Sequence, residues 1–263
     1  MFVVSEEHRG LGYGRALFRD AMAECRAHDT KIVGLDAVPE QRSTYERRGF
    51  VESPLGVMAS MKRSLVTKRT LSSPSSPSQG TQLVDIKTVP LKTLVASDLA
   101  YTGLERKGLW TSDFFERPDV FGFALTAGYD LSKEAQHILA WTVVRRSPLG
   151  FRIGPLFGRS VESAKVVLCA AMELATTERM RKTPLEDDVF ANASEKDVLG
   201  QAELSAEVWC GNDAAKLLFE DLGWEHTGID SHRMWLNGKA TKEQDHGGIA
   251  QKSMFAIFDS AIG

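Results

Sequence analysis

The chain of 263 residues is poor in three features, and each scarcity excludes a class of protein. No apolar run approaches the ~20 residues of a membrane-spanning helix, and Met1-Phe2-Val3-Val4 is too short for the apolar core of a secretory signal. No membrane partner is expected. Cysteine is scarce. Cys25, Cys169 and Cys210 are odd in number and form no paired motif, which argues against a disulfide framework. Two of them lie in helical or strand patterns and read as small buried apolar side chains, which fits a reducing, cytoplasmic setting. An excess of one charge is also lacking. A net charge of −3 gives no support for nucleic-acid binding, and the cluster Lys62, Arg63, Lys68 and Arg69 reads as a solvated flank. The six histidines show no ligand spacing; His226 and His232 come nearest, around an expected turn at Thr227-Gly228-Ile229-Asp230, so no metal is expected.

What is present is a globular composition, 43% hydrophobic and 25% charged, long enough for one large or two ordinary domains. The run Ser72-Ser73-Pro74-Ser75-Ser76-Pro77-Ser78-Gln79-Gly80 cannot bury a core, so 64–82 reads as a flexible linker. The expected units are therefore 1–63 and 83–263. A polar stretch at 182–201, with Glu186-Asp187-Asp188, reads as a surface insert in the second.

The N-terminal segment carries the sharpest motif. Val3-Val4 reads as the end of a short strand, followed by the turn Arg9-Gly10-Leu11-Gly12-Tyr13-Gly14-Arg15. A helix follows, with Leu17, Phe18, Ala21, Met22 and Cys25 at core-facing spacing. Glycines let a ligand lie against bare amides, and the first N–H groups of a helix have no partner within it. Such a turn binds phosphate, and Arg9 and Arg15 add positive charge. The spacing Gly10-x-Gly12-x-Gly14 is one residue too tight for a dinucleotide fingerprint, and Gly14-Arg15-Ala16 is not the end of a P-loop. Arg9, Gly12 and Gly14 do fit Q/R-x-x-G-x-G/A. A glycine-rich turn that binds nothing is the plain alternative.

Next, Lys31 to Ala37 reads as a buried strand, broken by Val38-Pro39. Glu40 to Arg48 reads as a helix capped by Gly49, and Phe50-Val51 begins another strand. With Tyr45-Glu46-Arg47-Arg48-Gly49-Phe50, the segment resembles the GNAT superfamily of N-acetyltransferases. That resemblance implies an α/β (α+β) fold, a mixed sheet flanked by helices. It implies acetyl-CoA as cosubstrate, its pyrophosphate on Arg9, Gly10, Leu11, Gly12, Tyr13, Gly14 and Arg15, and its pantetheine and thioester along the Val3-Val4 backbone. It also implies direct transfer to a small amine or amino acid in a ternary complex, with Tyr45 protonating the leaving thiolate; the alternative for Tyr45 is an aromatic that packs its helix. Two positions depart from the family pattern, Val38 for Asn and Thr44 for Leu. Only eight residues precede Arg9, so the first half of the domain is expected to be missing. That would leave an open sheet edge. A truncated, non-catalytic CoA-binding or interaction protein is therefore the competing reading, and a homodimer covering the edge is a third.

The second unit echoes the first. Phe151 to Phe157 reads as a strand, Gly158-Arg159-Ser160 as a turn and 161–179 as a helix with Val166, Val167, Ala170, Leu174 and Ala175 inward. Ser205 to Cys210 reads as a strand before a helix capped by Asn212. Phe219 stands where the donor tyrosine would be, and the phosphate cradle is absent. The unit resembles a degenerate GNAT-like domain, and the whole resembles a tandem subgroup. Its marks are Asp98-x-x-Tyr101-x-Gly103-x-x-Arg106, Ile153-Gly154-Pro155-Leu156, the Asn212 motif and Arg233-Met234-Trp235. In such proteins Asp98, Tyr101, Arg106, Arg152 and Arg233 would face an acceptor cleft, or else form ion pairs within the domain. Trp110, Phe114, Phe115, Phe121 and Phe123 read as core.

Overall fold

The computed structural model describes residues 4–65, 77–128, 137–147, 150–180 and 203–260. Val3, most of the serine- and proline-rich stretch and the insert at 182–201 lie outside the described residues. The strands are β1 (Gly34–Ala37), β2 (Phe50–Ser64), β3 (Thr81–Asp85), β4 (Val120–Ala127), β5 (Ile138–Ser147), β6 (Gly150–Gly158), β7 (Glu203–Trp209), β8 (Glu225–Leu236) and β9 (Met254–Ala256). They form one mixed sheet in the order β1-β8-β2-β7-β9-β6-β5-β4-β3. Its one parallel pairing joins β6 to β7 over Gly150–Arg152; the other pairings are antiparallel. The sheet is continuous across the serine- and proline-rich stretch, because β2 pairs with both β7 and β8.

Helices cover both faces: α1 (Tyr13–Ala27), α2 (Arg42–Glu46), α3 (Leu91–Thr102), α4 (Ser112–Glu116), α5 (Val161–Met180) and α6 (Asp213–Asp221). The strand period of two sorts neighbouring residues to opposite cores. Leu156 and Val208 join Val167, Leu168 and Met172 of α5 in one cluster, while Phe157 and Trp209 join Leu94 and Tyr101 of α3 in another. Trp110 and Phe115 are buried in the second cluster with Phe114 packed on it, and Phe121 and Phe123 pack on the first, as the sequence implied. A smaller cluster of Ala37, Phe50 and Met234 lies under α1 and α2.

Local signals set the element ends. The Asn212 side chain accepts from the Ala214 amide at 3.1 Å and donates to the Met254 carbonyl at 3.1 Å, so one residue caps α6 and ties it to β9. Several boundaries move. The strand expected over 31–37 keeps only Gly34–Ala37, and the helix expected over 40–48 becomes a 3-10 turn at Pro39–Gln41 plus five residues of α2. The turn expected at 227–230 lies inside β8 as a bulge, for the register with β2 jumps there from Ala59↔Asp230 to Met61↔His226. Arg63 is buried rather than solvated, because β2 continues to Ser64 and pairs with β7 throughout.

Candidate functional site

The glycine-rich turn leads into α1 through backbone that only glycine adopts freely. Gly10 has φ +80° and Gly12, the N-cap, has φ +88°. A Cβ at either would meet nothing within 4 Å, so these glycines serve conformation rather than close packing. The Arg15 and Ala16 amides both turn inward to the Gly12 carbonyl at 3.0 Å. The Tyr13 and Gly14 amides, one step earlier, have no intrahelical acceptor. Leu11 is 66% exposed and Tyr13 53%, so the turn opens to solvent. Arg9 and Arg15 are exposed beside it. The result is a convex run of free amides with positive flanks, the arrangement that holds a phosphate.

Val4 is not in a strand; its carbonyl accepts from Arg9 Nε at 3.2 Å. The strand expected at Val3-Val4 is thus absent at Val4, and Val3 lies outside the described residues. The stripe on α1 is also split. Phe18 and Met22 pack on the small cluster, but Leu17 is 47% exposed and no residue of α1 is buried.

Six residues connect α1 to β1. Phe18 and Met22 set the helix over the cluster that holds Val33, Leu35 and Ala37. β1 closes the sheet, pairing only with β8 among the described residues. The start of α2 follows the carboxyl end of β1. Tyr45, later on α2, packs over Phe50, which lies opposite Leu236 beyond the Gly34 end of β1. Its half-buried ring lies 6.3 Å from Phe18 and 6.3 Å from Phe50, with the Arg48 guanidinium 5.9 Å from its centroid. Its hydroxyl makes no hydrogen bond among the described residues.

The five charged or aromatic candidates for an acceptor cleft are engaged inside the protein. Arg233, 3% exposed, forms a two-point ion pair with Asp36 at 2.8 and 2.7 Å and donates to Gln244 at 2.6 Å. Gln244 passes the chain to the Thr102 carbonyl at 2.7 Å. Arg106 pairs with buried Asp98 at 3.0 and 2.5 Å, Tyr101 stacks on Phe157 at 5.0 Å, and Arg152 pairs with Glu207 at 2.8 Å. Burial pushes the Tyr101 phenol up, against a smaller opposing pull from Arg159. In the second unit Phe219 is fully buried and packs on Trp224 at 4.9 Å, while β9 fills the gap where β6 and β7 diverge.

One cluster escaped sequence reasoning. His232 Nδ1 lies 2.6 Å from Glu52 Oε1, and the other carboxylate oxygen of Glu52 pairs with Arg42 of α2. His226, the residue grouped with His232 for spacing, instead meets Asp230 at 2.9 Å. No local spacing could have joined Glu52 to His232; only the β2–β8 pairing does.

Comparison with known proteins bears on the N-terminal segment and on the fold. Residues 1–59 match the family described as acetyltransferase (GNAT) domain. Over these residues the chain is similar to the GNAT superfamily. It is 28% identical over 159 residues to a holothin acyltransferase of a Pseudoalteromonas strain, a match covering 60% of this chain and 47% of that protein. The aligned part is thus about half of that relative. A Pyrococcus horikoshii structure provisionally described as an acetyltransferase superposes with TM-score 0.64 at 18% identity, covering 99% of this chain and 69% of the other. A tandem GNAT protein of clavulanic acid biosynthesis superposes with TM-score 0.51 at 15% identity, covering 89% and 72%. At these identities the two structures establish the GNAT fold. No helix among the described residues is long and apolar enough to cross a membrane.

Proposed function

We propose that this chain transfers an acetyl group from acetyl-CoA to the nitrogen of a small amine or amino acid. The observation that carries the reading is the turn Gly10–Gly14, with two left-handed glycines, free amides at 13 and 14, and Arg9 and Arg15 beside them. A pyrophosphate would lie on those amides and direct the pantetheine along the open edge of β1. The amine attacks the thioester carbonyl directly, the C–N bond forms, the C–S bond breaks, and Tyr45 protonates the thiolate. A phenol can donate to a thiolate formed late in the reaction, because transfer is drawn on by reprotonation from solvent. The acyltransferase relative supports the reaction class, and holothin belongs in the acceptor screen for that reason. The tandem reading of the second unit rests on its strand–turn–helix echo and on the fold likeness. An open β1 edge and an α1 without buried residues favour, as the competing reading, a CoA-binding form that does no chemistry.

Calorimetric titration with acetyl-CoA tests the site, with an Arg9→Glu, Gly12→Glu double variant as control. Binding that the control loses supports the phosphate turn. No binding by the folded chain refutes it. Tyr45→Phe then separates the two readings: a turnover that falls while acetyl-CoA affinity holds supports an enzyme, and unchanged turnover removes the role given to Tyr45.

A further inference from the structure

Glu52 of β2, His232 of β8 and Arg42 of α2 come from three elements that the fold brings together beside the carboxyl end of β1. On β2, Phe50 and Glu52 are two residues apart and share a face, about 7 Å apart along the strand. Tyr45 packs on Phe50, which lies opposite Leu236, and His232 bonds to Glu52, so the phenol and the imidazole stand over the same face of the sheet, four residues apart along β8. His232 lies opposite Ala37, the last residue of the open edge strand, one strand spacing from where the thioester would run. Ala37 brings no charge; the charged groups that face His232 are Glu52 from β2 and, through it, Arg42 from α2.

An ionised carboxylate only accepts, so the hydrogen bond between His232 and Glu52 puts a proton on Nδ1, and in the neutral ring Nε2 then carries the lone pair. Nε2 has no partner among the described residues and is not sealed from solvent; the side chain is 15% exposed, against 24% for Glu52 and 38% for Arg42. A histidine oriented by a carboxylate, itself held by an arginine, is the arrangement of a general base.

We propose that His232 Nε2 accepts the proton that the acceptor amine loses, with Glu52 as its positioning residue. This rests on the acyl-transfer reading above. As the amine nitrogen bonds to the thioester carbon, one N–H proton passes to Nε2. The C–S bond then breaks, the thiolate takes its proton from the Tyr45 phenol, and solvent restores both side chains. The ring becomes imidazolium between Glu52 and the new amide, its charge balanced by the carboxylate.

The test uses the full chain, acetyl-CoA, and acceptors that include holothin, a primary alkylamine and a primary arylamine, reading thiol release against pH. His232→Gln is expected to keep acetyl-CoA affinity within about twofold and to lower kcat/KM by about 10²–10⁴-fold with the alkylamine. The loss is smaller with the arylamine, whose nitrogen gives up its proton more easily. Glu52→Gln is expected to cost about tenfold in kcat with acetyl-CoA affinity held, and Glu52→Asp to restore part of it; a merely structural role would lower the urea midpoint together with the rate. An unchanged rate in His232→Gln overturns this inference alone. If that variant does not fold, an unchanged rate in Glu52→Gln overturns it. Failure of the unsubstituted chain to transfer acetyl to any acceptor overturns the acyl-transfer reading and this inference with it.

Discussion

Replacing Arg233 with methionine removes the cation from a carboxylate that has no other partner among the described residues. The Asp36 and Arg233 side chains are 1% and 4% exposed. The guanidinium makes two bonds to Asp36 and one to Gln244, and lies 5.5 and 5.8 Å from the rings of Trp209 and Trp235. Methionine fills part of the volume but leaves the Asp36 carboxylate buried and unpaired. Breaking such a pair from one side costs about 3–5 kcal/mol, a large share of the roughly 5–15 kcal/mol that holds a domain folded. In a chain of this size that lowers the thermal midpoint by roughly 10 °C. The assay is urea denaturation followed by circular dichroism, with Asp36→Leu and the double variant completing a cycle. Asp36→Leu strands the guanidinium and is expected to cost as much. The double variant is expected to recover most of the loss, since two apolar residues can replace a buried pair at little cost. A single-variant loss under about 1 kcal/mol, or costs that simply add, would refute the claim that this pair is dry and mutually dependent.

Gly12→Ala puts a side chain at φ +88° with open space around it, so it is expected to cost about 1–2 kcal/mol in backbone strain and to weaken acetyl-CoA binding; unchanged affinity by calorimetry would count against the turn as the phosphate site. Asn212→Ala removes the α6 cap and leaves the Met254 carbonyl without its donor, an expected loss of about 2 kcal/mol by urea denaturation, with a loss below about 0.5 kcal/mol showing the cap to be idle. Burial pushes the Cys169 and Cys210 thiols and the Tyr101 phenol up, so each is neutral in the fold and ionises more readily in the unfolded chain. Their stabilising contribution is complete below the unfolded thiol value of about 8.5 and fades as pH rises past it; the urea midpoint should fall from about pH 9 upward, and a rising midpoint there would contradict the sign.

Features built from residues close in sequence were legible without the structure. The left-handed glycines before α1, the Asn212 cap and the strand–turn–helix at β6 and α5 each rest on local backbone preferences, and each stands where the sequence put it. Tyr45 stands on a helix after β1 as expected, though that helix covers Arg42–Glu46 rather than 40–48. What failed to show was long-range pairing. No local signal says that β8 inserts between β1 and β2, yet that insertion joins Glu52 to His232 across 180 positions. The same cause moved the expected turn at 227–230. Gly228 does take a turn-like φ of +85°, but the strand resumes on both sides because β2 is long enough to hold it. Burial of Asp98 and Arg233 was equally invisible, since their partners determine whether such charges face a cleft or a core.

β8 gives the two halves of this reasoning a shared origin and a way to separate them. His232 and Arg233 are adjacent, so the strand period sends them to opposite faces of the sheet. His232 meets Glu52 on the side of α2, where chemistry is proposed, while Arg233 meets Asp36 and, through Gln244, the Thr102 carbonyl of α3. Both stand against β1, opposite Ala37 and Asp36 respectively. Loss of Arg233 should therefore appear first in the folding equilibrium and reach the reaction only by loosening β1. Loss of His232 should appear in rate and pH profile while the denaturation midpoint shifts little, because a half-buried imidazole bonded to a partly exposed carboxylate holds little of the fold. A variant pair at adjacent positions with these crossed signatures is what alternation predicts; two variants that destabilise alike would place both side chains in the core and leave the proposed base without a site to serve.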